Sequence, residues 1–413
     1  MYKTFLCQYE EREKKKQWTI PHHHVVSLLL SILLCMQKTL ILDIVPHGTS
    51  RKEAEKNLQE LQSLVHTAGG MVIEKIIQKR GRPSAKTFLG TGKIAEAAEY
   101  VRNNDIDLVI INGTLKPHQY VHLGNIFPKH IRIWDRIDLI LHIFDAHANA
   151  PEAKMQIQLA RMHHEIPKIY ARDATTLFER AGAGIGTRGA GERGIEEEKR
   201  HIRRQIKVLE KKIRHFQKKQ EASRRARKKT GMPMVALVGY TNAGKSSIMR
   251  LFTKKNIRVD DALFVTLETK IGRMWLPKTR KNILLSDTIG FIQNLPHHLL
   301  SSFVATLQEV QEADLLLHVI DISDPDYQKK IAVVEGILRD LDCKNIPQIY
   351  IFNKIDRCDD FACVEEGRAC FLPQKRYENR HPVYFSVKRK KGISLLYTCI
   401  EKILFGKTLI KEI

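Results

Sequence analysis

A chain of 413 residues with a 43% apolar fraction has room for two or three domains with real cores. Lys and Arg number 69 against 46 Asp and Glu, a net charge of +23, which argues against a small acidic ligand as the reason for the charge and for a large polyanion, nucleic acid first and an anionic membrane surface second. The seven cysteines form no C-x-x-C pair and read as free thiols of a reducing cytoplasm; the spacings of Cys358, Cys363 and Cys370 and of His22 to His24 exclude a zinc finger.

Residues 1–37 read as a leader, disordered or placed ahead of a true start at Met36. The apolar run Val25 to Met36 is broken by Gln37 and Lys38, short of the ~20 residues that a membrane span needs. No small-residue cleavage site follows the basic stretch Arg12 to Lys16.

From 38 to 150, strand and helix patterns alternate. Leu40 to Val45, Met71 to Ile77, Leu108 to Asn112 and Ile131 to Trp134 read as strands. Ser50 to His66, with Ala54, Leu58, Leu61 and Leu64 on one face, and Lys93 to Asn103 read as helices. This alternation predicts a small N-terminal parallel α/β domain. The basic stretch Lys79 to Lys93 ends in Gly90, Gly92 and Lys93; a turn with a helix start is preferred there over a second phosphate site.

From 151 to 230 the period changes. Met155, Leu159, Met162 and Ile166 form one helical seam, and Ile195, Ile202, Ile206, Leu209, Ile213 and Phe216 a second. An antiparallel helical hairpin is expected, joined by the Gly/Arg-rich loop Arg180 to Gly194, which can bring backbone amides and guanidinium groups to phosphates. The second helix carries Arg203, Arg204, Lys207, Lys211, Lys212, Arg214, Lys218, Lys219 and further cations up to Lys229. Charge of one sign along some 30 residues, about 45 Å of helix, seeks a nucleic-acid backbone.

From 231 to 413 the motifs define a nucleotide switch. Val235 to Val238 form an apolar strand, after which Gly239, Tyr240, Thr241, Asn242, Ala243, Gly244, Lys245 and Ser246 fit the P-loop pattern. Such a loop wraps backbone N–H groups around phosphate, sends Lys245 to the β- and γ-phosphates and offers the Ser246 hydroxyl to Mg²⁺. Phe264, Val265, Thr266, Leu267 and Glu268 form a segment able to close over the nucleotide, with Thr266 as a second Mg²⁺ ligand and Thr269 its competitor. Asp287, Thr288, Ile289 and Gly290 follow another apolar strand; Asp287 would order Mg²⁺ and Gly290 sense the γ-phosphate. Asn353, Lys354, Ile355 and Asp356 follow a third strand, where Asp356 can accept from the guanine edge and so reject ATP, with Asn353 donating to the ring nitrogen. Ser386, Val387 and Lys388 would brace the base, and a helix from Ile393 to Leu404 closes the chain. The expectation is a Ras-like P-loop GTPase domain that binds GTP or GDP with Mg²⁺ and hydrolyses GTP through Lys245, Thr266 and Gly290. Phe291 stands where Ras-like enzymes carry the glutamine that orients water, so turnover by the chain alone should be slow.

Read together, TAGG at Thr67 to Gly70, TFLGTGK at Thr87 to Lys93, DRIDLILHIF at Asp135 to Phe144, GIGTRG at Gly184 to Gly189, GYTNAGKSS at Gly239 to Ser247, DTIGF at Asp287 to Phe291, ATLQE at Ala305 to Glu309 and NKID at Asn353 to Asp356 resemble the HflX family of ribosome-associated GTPases. The resemblance implies GTP hydrolysis, binding to the 50S ribosomal subunit and its 23S rRNA, and splitting of stalled or stressed ribosomes by some members, with the glycine-rich loop directed at the peptidyl transferase region. A cytoplasmic monomer whose slow hydrolysis the ribosome accelerates is expected. Where the family's loop continues PGETQLE, Ala190 to Glu196 reads AGERGIE.

Overall fold

The computed structural model describes residues 36–181, 190–253, 264, 270–292, 304–358 and 382–409. The N-terminal part alternates β1 (Gln37–Val45), α1 (Arg51–Thr67), β2 (Gly70–Lys79), α2 (Thr91–Asn103), β3 (Leu108–Ile111), α3 (Pro117–Ile126), β4 (Arg132–Asp135) and α4 (Arg136–His147). Its four strands run parallel in the order β2-β1-β3-β4. Parallel strands covered on both faces need apolar side chains on both, and β1 supplies them: Ile41 packs with Leu58, Leu61 and Leu64 of α1, while Leu40 and Leu42 pack on the opposite side with Ile94, Ala97 and Val101 of α2. Ser50 caps α1, its hydroxyl accepting from the Glu53 amide at 3.2 Å. The expected α/β sheet is therefore present, strand for strand.

Two long helices follow, α5 (Pro151–Ala181) and α6 (Ala190–Lys229). They are antiparallel: Glu152 at the start of α5 accepts from Gln220 near the end of α6 at 2.7 Å, whereas Tyr170 meets Arg203 and Lys199. Ile206, Leu209 and Ile213 are buried along the expected seam of α6. The expected loop is corrected at both ends, because Arg180 and Ala181 complete α5 and Ala190 to Gly194 already belong to α6. The helix is thus 40 residues long rather than about 30, or about 60 Å. GIGTRG, residues 184–189, lies outside the described residues. A second face of α5, with Ala153, Ile157 and Ala160, packs into the core shared with α4.

The last part is built on β5 (Met234–Gly239), α7 (Lys245–Thr253), β6 (Lys270–Leu276), β7 (Lys281–Asp287), α8 (Val304–Gln311), β8 (Leu315–Asp321), α9 (Tyr327–Asp340), β9 (Gln348–Asn353), β10 (Val383–Tyr384) and α10 (Ile393–Leu409). The sheet order is β10-β9-β8-β5-β7-β6, parallel except for β6. Along β5 the side chains alternate: Val235 and Leu237 enter a core with Ile248, Leu285, Leu396 and Ile400, and Ala236 and Val238 enter another. That second core is continuous with the N-terminal part, joining Ile137, Phe144 and Ile157 to Phe264, Ile289, Phe291, Val310 and Leu316. No helix among the described residues is long and apolar enough to cross a membrane.

Candidate nucleotide site

The P-loop leaves β5 at Gly239 and enters α7 at Lys245. Gly239 has φ +151°, and a Cβ there would stand 2.3 Å from the carbonyl oxygen of Val319; Gly244 has φ +99°, and a Cβ there would stand 2.3 Å from Nδ2 of Asn353. Only glycine fits either position. Between them Asn242 also adopts a left-handed conformation, φ 59°, so the loop closes into the concave backbone turn that suits an anion.

Lys245 is 6% exposed. Its Nζ donates to the carbonyl oxygens of Gly239 at 3.0 Å and Tyr240 at 2.8 Å. Burial pulls the Lys245 ammonium down to about 8, and the Asp287 carboxylate opposes that shift. Phosphate oxygens beside it would favour the charged form. Gly290 lies close: a Cβ there would approach Lys245 Nζ to 3.1 Å and Thr241 Cγ2 to 2.8 Å. Ser246 Oγ donates to Asp287 Oδ2 at 2.7 Å, so a hydroxyl and a carboxylate, the hard oxygen donors that suit Mg²⁺, meet beside the lysine. Thr288 is fixed by its hydroxyl on the Leu237 carbonyl at 2.6 Å.

On the base side, Asn353 Nδ2 donates to the Ala243 carbonyl at 2.8 Å, which ties the NKID turn to the P-loop and gives Asn353 a second task beside the one expected for it. Lys354 is left-handed, φ 64°, and its ammonium lies 2.7 Å from Asp321. Ser386 Oγ donates to Asp356 Oδ1 at 2.5 Å and accepts from the Arg389 amide at 3.0 Å. The bracing expected of Ser386 thus falls on the carboxylate itself; Val387 is half-buried and Lys388 exposed. Two buried oxygens of the site, Thr241 Oγ1 and Asn353 Oδ1, have no hydrogen-bond partner among the described residues, and a polar ligand would satisfy them. The residues present therefore fit a purine nucleotide and its cation.

Val265, Thr266, Leu267, Glu268 and Thr269 lie outside the described residues. Phe264 is described and packs edge-on against Phe144, within the shared core; only its backbone is left for a nucleotide. Ile289 and Ile355 likewise bury their side chains. Phe291 is 1% exposed, its backbone bridged to Gly239 and Thr241. Lys93 pairs with Glu96 at 2.6 Å and Gly90 caps α2, in keeping with the turn and helix start preferred there.

Sequence reading missed the surroundings of Tyr240. Its hydroxyl donates to Glu60 of α1, which also holds Arg136 of α4, and Lys330 sits 4.9 Å from its ring. Nothing in the local pattern of a P-loop announces such a partner.

A strand, a glycine cradle with a buried lysine, a serine–aspartate pair and an Asn-Lys-x-Asp turn define this as a P-loop GTPase. Family models agree in chain order: a GTP-binding GTPase N-terminal region matches residues 55–145, a GTP-binding GTPase middle region 147–227 and a 50S ribosome-binding GTPase 234–354. The chain is 40% identical to GTPase HflX of Caldanaerobacter subterraneus subsp. tengcongensis, over 87% of this chain and 79% of that one. It is 36% identical to GTPase HflX of Escherichia coli, over 87% and 81%. A GTP-binding protein from Sulfolobus solfataricus, solved with GDP, is 23% identical over 89% of this chain and 98% of that one, with a TM-score of 0.43. The chain belongs to the HflX family of GTPases, and its activity is the hydrolysis of GTP.

Proposed function

We propose that the chain binds the 50S ribosomal subunit and its 23S rRNA through the α5–α6 arm when GTP is bound, lets go after hydrolysis, and in doing so separates the subunits of stalled or stressed ribosomes. The observation that carries this reading is the placement of the charge. Arg203, Arg204, Lys207, Lys211, Lys212, Arg214, Lys218 and Lys219 are exposed along α6, and that helix ends only five residues before the strand that leads to the P-loop. A row of cations along a helix is the natural partner of a phosphate backbone. The family model described as a 50S ribosome-binding GTPase, matching 234–354, supports the choice of ribosomal RNA, as does membership in the HflX family.

In this reading Lys245 and the Gly290 amide would hold the γ-phosphate, Ser246 and Thr266 would ligate Mg²⁺ with Asp287 ordering it, and Asp356, braced by Ser386, would select guanine. Mg²⁺, when bound, neutralises charge on the β- and γ-oxygens. Phe291 cannot position water: its ring is buried in the apolar core shared with Phe144 and Ile289. Turnover by the chain alone is therefore slow, and the ribosome raises it by acting on Thr266 or by supplying a polar group.

The test is sedimentation of the protein with 70S ribosomes, with GDP and with a non-hydrolysable GTP analogue. Co-migration with 50S and loss of the 70S peak only with the analogue is the expected result. Equal binding in both states would overturn the nucleotide dependence, and binding only to immature large subunits would make it an assembly factor.

A further inference from the structure

Glu309, the last residue of the ATLQE motif, is 8% exposed. Such burial is costly for a carboxylate unless partners offset it. One partner is Ser286, whose hydroxyl donates to Glu309 Oε2 at 2.9 Å. Ser286 immediately precedes Asp287, the residue that receives the Ser246 hydroxyl. The other is Arg227 near the end of α6, which donates to Glu309 Oε1 at 3.3 Å. One carboxylate therefore touches both the strand end that carries the cation-ordering aspartate and the root of the basic arm.

One turn earlier on α6 lies Arg224. It is 5% exposed, and none of its three guanidinium nitrogens has a hydrogen-bond partner among the described residues. Burial pushes the Glu309 carboxyl up, while the Ser286 hydroxyl and the charges of Arg227 and Arg224 pull it back; the Arg224 charge also pulls down the Glu152 carboxyl at the start of α5. Arg224 borders a cavity of about 290 Å³ with Arg227, Pro233, Leu284 and Asp314, so open space lies beside both arginines. A buried guanidinium without a hydrogen bond is expensive to keep, even with the charges of Glu152 and Glu309 acting on it; a second state in which it is hydrogen-bonded would explain its retention.

We propose that Glu309 is the positioning residue that couples the nucleotide site to the arm, passing between Arg227 in one nucleotide state and Arg224 in the other. A change at the γ-phosphate shifts Asp287 and with it Ser286; Glu309 follows, and the arm turns at its root by the step between two arginines on one helix. Two discrete partners make the element bistable, which is what a switch requires. This rests on the arm being the ribosome-binding element, but the link itself can be measured without ribosomes.

The experiment is amide hydrogen exchange of 221–229 in the full chain with GDP and with a non-hydrolysable GTP analogue, beside ribosome sedimentation of the same samples. The wild type should differ between the two states, and Glu309→Gln should lose the difference while keeping its affinity for both nucleotides. Arg224→Met removes a buried charge that holds no hydrogen bond among the described residues, so it should still fold and should lose the difference; a purely structural Glu309 would not respond to that change. If wild-type exchange is the same in both states, or if Arg224→Met retains the difference, the link is overturned. If exchange responds to nucleotide while ribosome binding does not, the link stands and the ribosomal role of the arm falls.

Discussion

The ring of Phe264 stands edge-on to that of Phe144, centroids 4.7 Å apart and planes at 84°. One stands two residues ahead of Thr266, the other in α4 of the N-terminal part, so Phe264 is anchored on a different layer of the molecule. Phe144→Ala should cost about 3–5 kcal/mol of stability and weaken binding of a GTP analogue relative to GDP. Denaturant unfolding and paired titrations measure the two effects; an unchanged ratio of affinities would show that the anchor does not reach the site.

Glu60 serves both Tyr240 and the buried Arg136. Tyr240→Phe removes one neutral donor and should cost about 1 kcal/mol. Glu60→Ala removes the carboxylate beside the buried guanidinium, which keeps its bond to Asn112 Oδ1 at 3.2 Å, and should cost about 3 kcal/mol. The order of the two is the test: equal losses in unfolding experiments would mean that Arg136 does not depend on Glu60.

For the nucleotide itself, Lys245→Ala should abolish binding, and Asp356→Asn should move preference from guanine toward xanthine. Ser386→Ala takes away the hydroxyl that braces Asp356 and should weaken GDP binding about tenfold without changing base preference. Fluorescent nucleotide titrations would sink the assignment of Asp356 if its variant still preferred guanine.

His164 of α5 lies 3.3 Å from both Asp135 and Asp138 at the start of α4. Burial alone would pull the imidazole down, but the two carboxylates outweigh it and hold it up at about 9. With a pKa above the unfolded value of about 6.5, the charged histidine contributes stability that is fully present below that pH and lost as pH rises through about 9. Thermal unfolding of the wild type should therefore weaken across this window, and His164→Gln should be less stable at pH 6 with a flatter decline. Parallel curves for the two proteins would contradict the assignment.

The nucleotide site was legible because its signals are local: an apolar strand, then glycines, lysine and serine within eight residues, and the later turns each at a strand end. The N-terminal strands were legible for the same reason. Helix α4 was not, since Ile137, Leu139, Ile140, Leu141, Ile143 and Phe144 are all buried and leave no amphipathic stripe to read. Ala190 to Gly194 misled because glycine is a weak helix former, and the helix there is an extension of a long, regular neighbour. The pairs Glu60–Tyr240 and Arg227–Glu309 join residues 180 and 82 positions apart. Neither composition nor periodicity carries information over that distance.

The apolar core that runs from Ile41 and Phe144 through Ile157 to Phe291 and Leu316 has a bearing on how the chain melts. Layers that share one interior cannot be heated apart separately, so α1, α4 and the GTPase sheet should give way in a single cooperative transition. Guanine nucleotide would then protect the N-terminal layer from proteases and heat as well as the GTPase sheet.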